Sequence, residues 1–413
     1  MDLRGLFPIL RHGAFYRLVR PLVCLYVRKD RNPPFRLWVD FLCRLLGRAY
    51  GKEGRTIWVN AFFPVEIVYA MGACPFIPEI HASLVAYFNL SRRPIELGGV
   101  SLSTDICSFF RCAMGLLEDG ILPKPDIVLS SSHLCDGAAK FFSEIAKLVG
   151  VRHAFLGVPI VRVRGVKERF ARQLRDLTFE VAESLGLTFQ EKMLSAVLEK
   201  ARIAWRLIRE INVLRRTRPA PFPGSEGLSY VAGMNFYAMG SDEGVRFFAA
   251  LREYVHKRVQ RKRGYLKHER WRVLWLHHIR PYYPNPIFSF LGRHGVSVPF
   301  EEANYLYWPE PDPTSPFLSI AEKLLSNPWY SPLADRIEIV KKMAADYGVH
   351  GAIHFSHWGC RQTSSGAMLV GEALREMGIR FLVLPGDGCD PDNFSAGQTL
   401  TRLGAFVESL GAE

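Results

Sequence analysis

Eight cysteines are spread along a chain of 413 residues, and three of them share one local setting. Cys135 follows the apolar run 126–130 and precedes a helical pattern. Cys360 follows a second such run, 351–355, and precedes another. Cys107 opens a predicted helix that runs from Ser108 to about residue 117. Ligands gather beyond the carboxyl ends of strands in open α/β sheets. Helix N-termini add free N–H groups and a partial positive charge. Such a field lowers a thiol pKa and favours the thiolate, which binds metals and takes part in redox chemistry. Three cysteines at such junctions could therefore converge on one metal site. Spacing alone is weak support. There is no C-x2-C, so zinc-ribbon and bacterial ferredoxin patterns are absent, and Cys107 with Cys112 makes an isolated C-x4-C. On spacing alone, ordinary buried cysteines remain the stronger alternative. Cys24, Cys43, Cys74, Cys112 and Cys389 read as structural thiols, with a redox role left open for Cys389.

The elements that must position these residues fall into four regions: 1–54, 55–165, 166–270 and 271–413. The first reads as two helices, with apolar spacing around Leu18, Leu22 and Leu25 and around Leu37, Phe41 and Leu45, broken by Pro33 and Pro34. Region 55–165 alternates strands at 56–60, 126–130 and 153–156 with helices at 64–70 and 137–149. Region 166–270 is mainly helical, with no proline from 168 to 216. Region 271–413 alternates again: strands at 272–276, 295–298, 351–355 and 380–384, and helices at 335–347, 363–377 and 395–410. The pattern predicts an α/β protein with two doubly wound (Rossmann/flavodoxin-like) domains, an N-terminal helical extension and a helical linker region.

The formal net charge is +13, which favours acidic partners such as nucleic acid, a membrane surface or the phosphates of CoA. Residues 1–55 hold twelve Lys/Arg against four Asp/Glu, and a second basic run covers 257–272. Solvated helix faces are the preferred explanation of both runs, with docking of an acidic partner protein or a CoA phosphate as the alternative. No aromatic-plus-basic motif supports nucleic-acid binding. No stretch reaches the roughly 18 apolar residues that span a bilayer. The apolar patches 7–10 and 22–27 lack a long h-region and a cleavage site, so no signal peptide is read, and an amphipathic contact of this segment with a membrane is a minor alternative. A cytoplasmic enzyme is the default, and sparse cysteines fit it.

Longer segments carry a resemblance. The stretch 58–78 (WVNAFFPVEIVYAMGACPFIP) resembles the N-terminal signature of the 2-hydroxyacyl-CoA dehydratase and benzoyl-CoA reductase family, in which a P-x-E helix leads into an A-x-G segment. Stretches 105–115, 126–140 (DIVLSSSHLCDGAAK) and 357–363 (HWGCRQT) are similar to the family's three cluster-cysteine segments. The tail 386–406 (GDGCDPDNFSAGQTLTRLGAF) is similar to its D-x-x-D…Q…TR…F ending. The segments occur in the expected order over about residues 55–413.

The resemblance implies that Cys107, Cys135 and Cys360 ligate a 4Fe–4S cluster with one iron left open. It implies dehydration of an (R)-2-hydroxyacyl-CoA through a ketyl radical, after one-electron activation by a separate ATP-dependent iron–sulfur activator. No G-x-x-x-x-G-K-[ST] loop is present, so the activator is a different chain. A related second subunit or a self-dimer is implied as well. A double cubane is not, because no cysteine lies between Cys135 and Cys360. Glu66 matches the P-x-E carboxylate and is a candidate general base, with a helix N-terminal charge as the alternative. His133 and His357 flank ligand cysteines and are candidate donors. Asp136 is a candidate helix cap. Arg111 and Arg361 could offset cluster charge, and Asp387, Asp390 and Arg402 read as a structural ion-pair group. An aromatic acyl-CoA reductase subunit and a non-catalytic iron–sulfur paralogue are the alternative readings. The basic N-terminal extension has no counterpart in the resemblance.

Overall fold

The computed structural model describes residues 11–30, 32–51, 53–160 and 163–411. The apolar patch 7–10 lies outside the described residues. The chain begins with a helical hairpin, α1 (Gly13–Asp30) and α2 (Pro33–Gly51). Pro33 opens α2, where a missing N–H costs nothing, while Pro21 sits inside α1. The two helices approach closely at glycine. A Cβ on Gly13 would stand 2.5 Å from the Gly47 carbonyl oxygen.

A first α/β layer follows, with β1 (Thr56–Val59), α3 (Val65–Ala70), β2 (Cys74–Phe76), α4 (Pro78–Tyr87), α5 (Arg92–Ser101), α6 (Ser108–Glu118), β3 (Ile127–Ser131), α7 (Asp136–Val149) and β4 (His153–Leu156). Its four strands are parallel and ordered β2-β1-β3-β4. Strands β1, β2 and β3 are buried along their whole length, as parallel strands covered on both faces must be. The predicted helix 137–149 starts one residue earlier, at Asp136, and stops at Gly150, whose φ of 75° ends it in the left-handed region.

Region 166–270 is helical: α8 (Val166–Ser184), α9 (Glu191–Leu214) and α10 (Asp242–Gln260), with short helical turns over 224–237. The proline-free run 168–216 is nevertheless two helices, divided at Gly186, which has φ 65°. A missing proline permits a long helix without enforcing one.

The second α/β layer holds β5 (Trp271–Leu276), α11 (Ile287–Arg293), β6 (Val296–Glu301), α12 (Pro316–Leu325), α13 (Leu333–Asp346), β7 (Gly351–His357), α14 (Arg361–Ser364), α15 (Ala367–Arg375), β8 (Arg380–Gly386) and α16 (Ala396–Ser409). The predicted helix 363–377 is split into α14 and α15, with Gly366 packed against Leu333 at the break. Its strands are also parallel, in the order β6-β5-β7-β8. One face packs on Ile287, Leu291, Leu403 and Phe406, the other on Val340, Met343, Val370 and Leu374. The protein is therefore mixed α/β, with two parallel four-stranded sheets of the same strand order. Helix α12 crosses between the layers. Its Phe317, Ile320 and Leu324 belong to the large core around the first sheet.

Beneath the second sheet lie two adjacent buried ion pairs. Arg215 donates both terminal nitrogens to Glu301 at 2.7 Å, and Arg336 grips Glu302 at 2.8 and 3.0 Å. The basic run 257–272 has structural uses. Arg258 donates to the Gly264 carbonyl, and Arg272 donates to the carbonyls of Arg216 and Thr217. Among the described residues no helix is long and apolar enough to cross a membrane.

Candidate functional site

Both sheets reverse their strand order at the first strand, and crevices for ligands open at such points beyond the strand ends. Cys135 stands between β3 and α7, and Cys360 between β7 and α14, so the third strand of each sheet delivers one cysteine to the N-terminus of the next helix. Cys107 precedes α6 in the same way. The three thiols line one cavity of about 1160 Å³.

The loops hold them in place. Gly359 has φ 78° and rests against the backbone of Cys107, where an added Cβ would come within 2.9 Å of the Cys107 Cα. Just beyond the facing strands, Arg361 pairs with Asp136, joining the residues that follow two of the cysteines. His277 after β5 and Leu134 before Cys135 both hold positive φ, 103° and 83°. Such conformations cost about 1–3 kcal/mol in a non-glycine residue and concentrate at functional sites.

Two of the three cysteines have a side-chain partner. His357 Nδ1 accepts the Gly388 N–H at 3.0 Å, so in the neutral ring the proton sits on Nε2 and points at Cys107 Sγ, 3.2 Å away. Burial pushes the His357 pKa down, against the opposing pull of Asp387, and keeps the ring neutral. Cys360 Sγ lies 3.1 Å from the Thr363 hydroxyl, and that hydroxyl also meets His277. Arg336 donates to the Thr363 carbonyl at 2.9 Å while it holds Glu302, and Glu302 accepts the His277 N–H at 2.8 Å. One buried ion pair thus fixes the Cys360 loop.

The expectation that helix N-termini would lower these thiol pKa values is reversed. Burial pushes Cys107 well above the ordinary range, Cys135 up to about 11, and Cys360 upward. The negative charge each thiol would present to the others works in the same direction for Cys107 and Cys135. The N–H groups of Phe109, Gly137, Ala138 and Thr363 do act to lower them, as the helix ends require, but they are outweighed. Such thiols give up their protons on binding a metal.

Other predicted residues are placed differently. His133 lines the cavity with neither ring nitrogen in a well-formed hydrogen bond, and burial lowers its pKa to about 4. Glu66 is not among the side chains that line this cavity. It ties α3 to α12 through Lys323 Nζ at 2.6 Å. Asp387 accepts from Ser108, Cys389 N and Asp390 N, and Asp390 meets Arg111 at 3.7 Å. Arg111, rather than the exposed Arg402, completes that acidic group. Arg111 and Arg361 are each engaged with a carboxylate.

Sequence reasoning missed three lining residues. Glu79, in the first turn of α4, accepts the Ala61 N–H at 3.1 Å, while its Oε2 is buried with no partner. Burial raises its pKa to about 7, against the N–H bonds that lower it. His278 carries an unpartnered Nδ1 and a pKa pushed down to about 3 by burial, and Arg280 leaves its Nε unpartnered. The pair His277–His278 directly after a predicted strand was a usable signal. Glu79 had none beyond Pro-Glu, the ordinary opening of a helix.

Among the described residues no three His, Cys, Asp or Glu side chains are grouped closely enough to hold a single metal ion. The three thiols stand instead around one cavity. The family model described as 2-hydroxyglutaryl-CoA dehydratase, D-component, matches residues 60–410. The chain belongs to this family.

Curated relatives agree at low identity. The chain is 23% identical over 377 residues to the (R)-phenyllactyl-CoA dehydratase alpha subunit of Clostridium sporogenes, covering 86% of this chain and 89% of that one. It is 22% identical over 391 residues to the (R)-2-hydroxyisocaproyl-CoA dehydratase alpha subunit of Clostridioides difficile, covering 87% and 91%. It is also 22% identical over 336 residues to a benzoyl-CoA reductase subunit of Thauera aromatica, covering 75% and 77%. This dehydratase-family chain therefore resembles proteins that are named as subunits of enzymes. Its three expected cysteines lie within the matched stretch, whereas the hairpin of α1 and α2 lies before it.

Proposed function

We propose that this chain is a subunit of an oxygen-sensitive, cytoplasmic lyase that removes water from an (R)-2-hydroxyacyl-CoA, with a 4Fe–4S cluster on Cys107, Cys135 and Cys360. The single observation that carries the reading is the meeting of these three thiols, from three loops and both sheets, on one cavity. In this reading the two sheets are two doubly wound domains, 55–165 and 271–413, bridged by the helices of 166–270. A related second subunit or a second copy, and a separate ATP-dependent activator, complete the system. Bound there, the cluster supplies an iron that can exchange one electron and polarise a substrate oxygen.

The chain's own residues do the rest. The His357 Nε2–H donates to the Cys107 sulfur and offsets thiolate charge, a tuning role for a group outside the ligand set. The Thr363–Arg336–Glu302 chain fixes Cys360. Glu79, poised to titrate near neutrality, is the carboxylate that can take a proton from substrate or return one at Oε2, and Glu66 is the tie to Lys323. His133 and His278 stay neutral and can each donate one hydrogen bond to a carbonyl or hydroxyl oxygen. Aromatic walls such as the half-buried Phe62 and the buried Phe109 help to keep bulk water out.

The test is anaerobic incubation of the chain with its second subunit, an activator, ATP and either a 2-hydroxyacyl-CoA or benzoyl-CoA, followed by mass spectrometry of the CoA esters. Loss of water from the hydroxyacyl ester supports the proposal. Addition of two hydrogens to the ring, with the hydroxyacyl ester untouched, replaces it with the reductase reading.

A further inference from the structure

The cavity that receives the three cysteines does not end with them. It continues to the N-terminal hairpin, which supplies one wall. Val19, Val23 and Val27, four residues apart on α1, face it, and Val39, Leu42 and Leu46 face it from α2. All six are half-buried. Residues 1–55 carry twelve basic side chains, yet among the described residues no charged side chain of α1 or α2 lines the cavity. Arg17, Arg20 and Arg44 turn instead to Glu53 and Asp40. One apolar stripe of the hairpin thus looks inward onto open volume, while Leu18, Leu22 and Leu25 of α1 lie exposed away from it.

Polarity along the cavity is divided between elements. The strand ends and cysteine loops bring Glu79, His133, His278 and Arg280, each with a buried, unpartnered polar atom. The hairpin brings valine, leucine and aromatic surface. At about 1160 Å³ the cavity exceeds the roughly 300–1,000 Å³ of pockets that hold compact small molecules. A short branched or single-ring acyl group would leave most of the hairpin's wall uncovered.

We infer that the hairpin forms an acyl-chain channel, and that the substrate class is a medium- to long-chain, unbranched, apolar acyl-CoA. This rests on the acyl-CoA reading of the cysteine site and deepens it. The thioester end lies among the polar groups near the thiols, and the alkyl chain runs along the valine and leucine faces of α1 and α2. Each methylene that enters covers apolar surface otherwise left half-wet, so affinity rises with chain length.

The experiment is isothermal titration of the full-length, anaerobically prepared protein with saturated acyl-CoAs from butyryl to dodecanoyl, below their micellar concentrations, with free CoA as reference. The expected result is a gain of roughly two- to fourfold in affinity per added methylene, the range set by partial to complete burial, followed by a plateau when the channel is filled. Val23→Trp narrows the channel and is expected to remove the gain for chains long enough to reach it. Circular dichroism checks that this variant folds. If it does not, the wild-type series decides by itself. Butyryl-CoA binding with no dependence on length, or a dependence kept by a folded Val23→Trp variant, overturns the channel and leaves the acyl-CoA reading standing. Failure of every acyl-CoA and of CoA to bind overturns both.

Discussion

Glu79→Gln is the perturbation that most directly probes the proposed proton-transfer group. In the folded chain the Glu79 carboxyl has its pKa raised by burial to about 7, from an ordinary value of 4.5. The folded state thus holds a proton that the unfolded state releases between those values. A raised folded pKa gives stability that is complete below the unfolded pKa and is lost as pH rises through the folded one. The span from 4.5 to about 7, at about 1.4 kcal/mol per unit, bounds the loss at about 3 kcal/mol. Glutamine keeps the shape and does not titrate. Urea unfolding of wild type and variant under reducing conditions, at intervals from pH 4.5 to 8, isolates the effect, because all other titrations cancel in the difference. The variant should gain on wild type by about 2–3 kcal/mol across that window and lose turnover. Parallel curves would mean that Glu79 ionises as a surface carboxylate does, and the reasoning that makes it a base near neutrality would fail.

Further outcomes follow from the supporting shell. Gly359→Ala puts a Cβ 2.9 Å from the Cys107 Cα at φ 78°, so it should cost about 1–3 kcal/mol in thermal unfolding and lower retained iron after gel filtration. His357→Phe removes the donor to Cys107 and should weaken cluster retention roughly tenfold or more, read by chelator challenge, with secondary structure unchanged. Gly227→Ala drives a Cβ to 2.0 Å from Glu301 Oε1. It should break the buried pair with Arg215, at a cost of about 3–5 kcal/mol in urea unfolding.

The sequence carried the sheets further than it carried the site. The runs at 126–130, 272–276 and 351–355 are buried strands because mostly apolar residues suit strands covered on both faces. Cys135 and Cys360 were legible as junction residues, since strand-then-helix periodicity brackets each of them, and Cys107 was legible as the opening of a helix. Strand β2 was missed because Cys74–Phe76 is three residues long and contains a proline, which reads as a turn. The split between α14 and α15 depends on Gly366 meeting Leu333, a contact between distant parts of the chain. Glu66 and Glu79 look alike in sequence, each in the first turn of a helix after proline. Each keeps one buried, unpartnered oxygen, and only the fold assigns Lys323 to the first and turns the second onto the cavity. Thiol pKa values were misjudged because a local helix field is visible in sequence and burial by two sheets is not. In the first helix the apolar spacing at Leu18, Leu22 and Leu25 pointed to the wrong face, because those leucines are exposed and Val19, Val23 and Val27 line the cavity.

The central claim is that Cys107, Cys135 and Cys360 act together as one ligand set. The direct measurement is iron and sulfide content, with electron paramagnetic resonance of the reduced protein, for anaerobically purified wild type and the single variants Cys107→Ala, Cys135→Ala and Cys360→Ala, with Cys112→Ala as the control. The account predicts the iron, sulfide and signal of a single 4Fe–4S cluster in wild type and control, and loss of all three in each ligand variant. Iron-free folded wild type, or a ligand variant indistinguishable from the control, would contradict it.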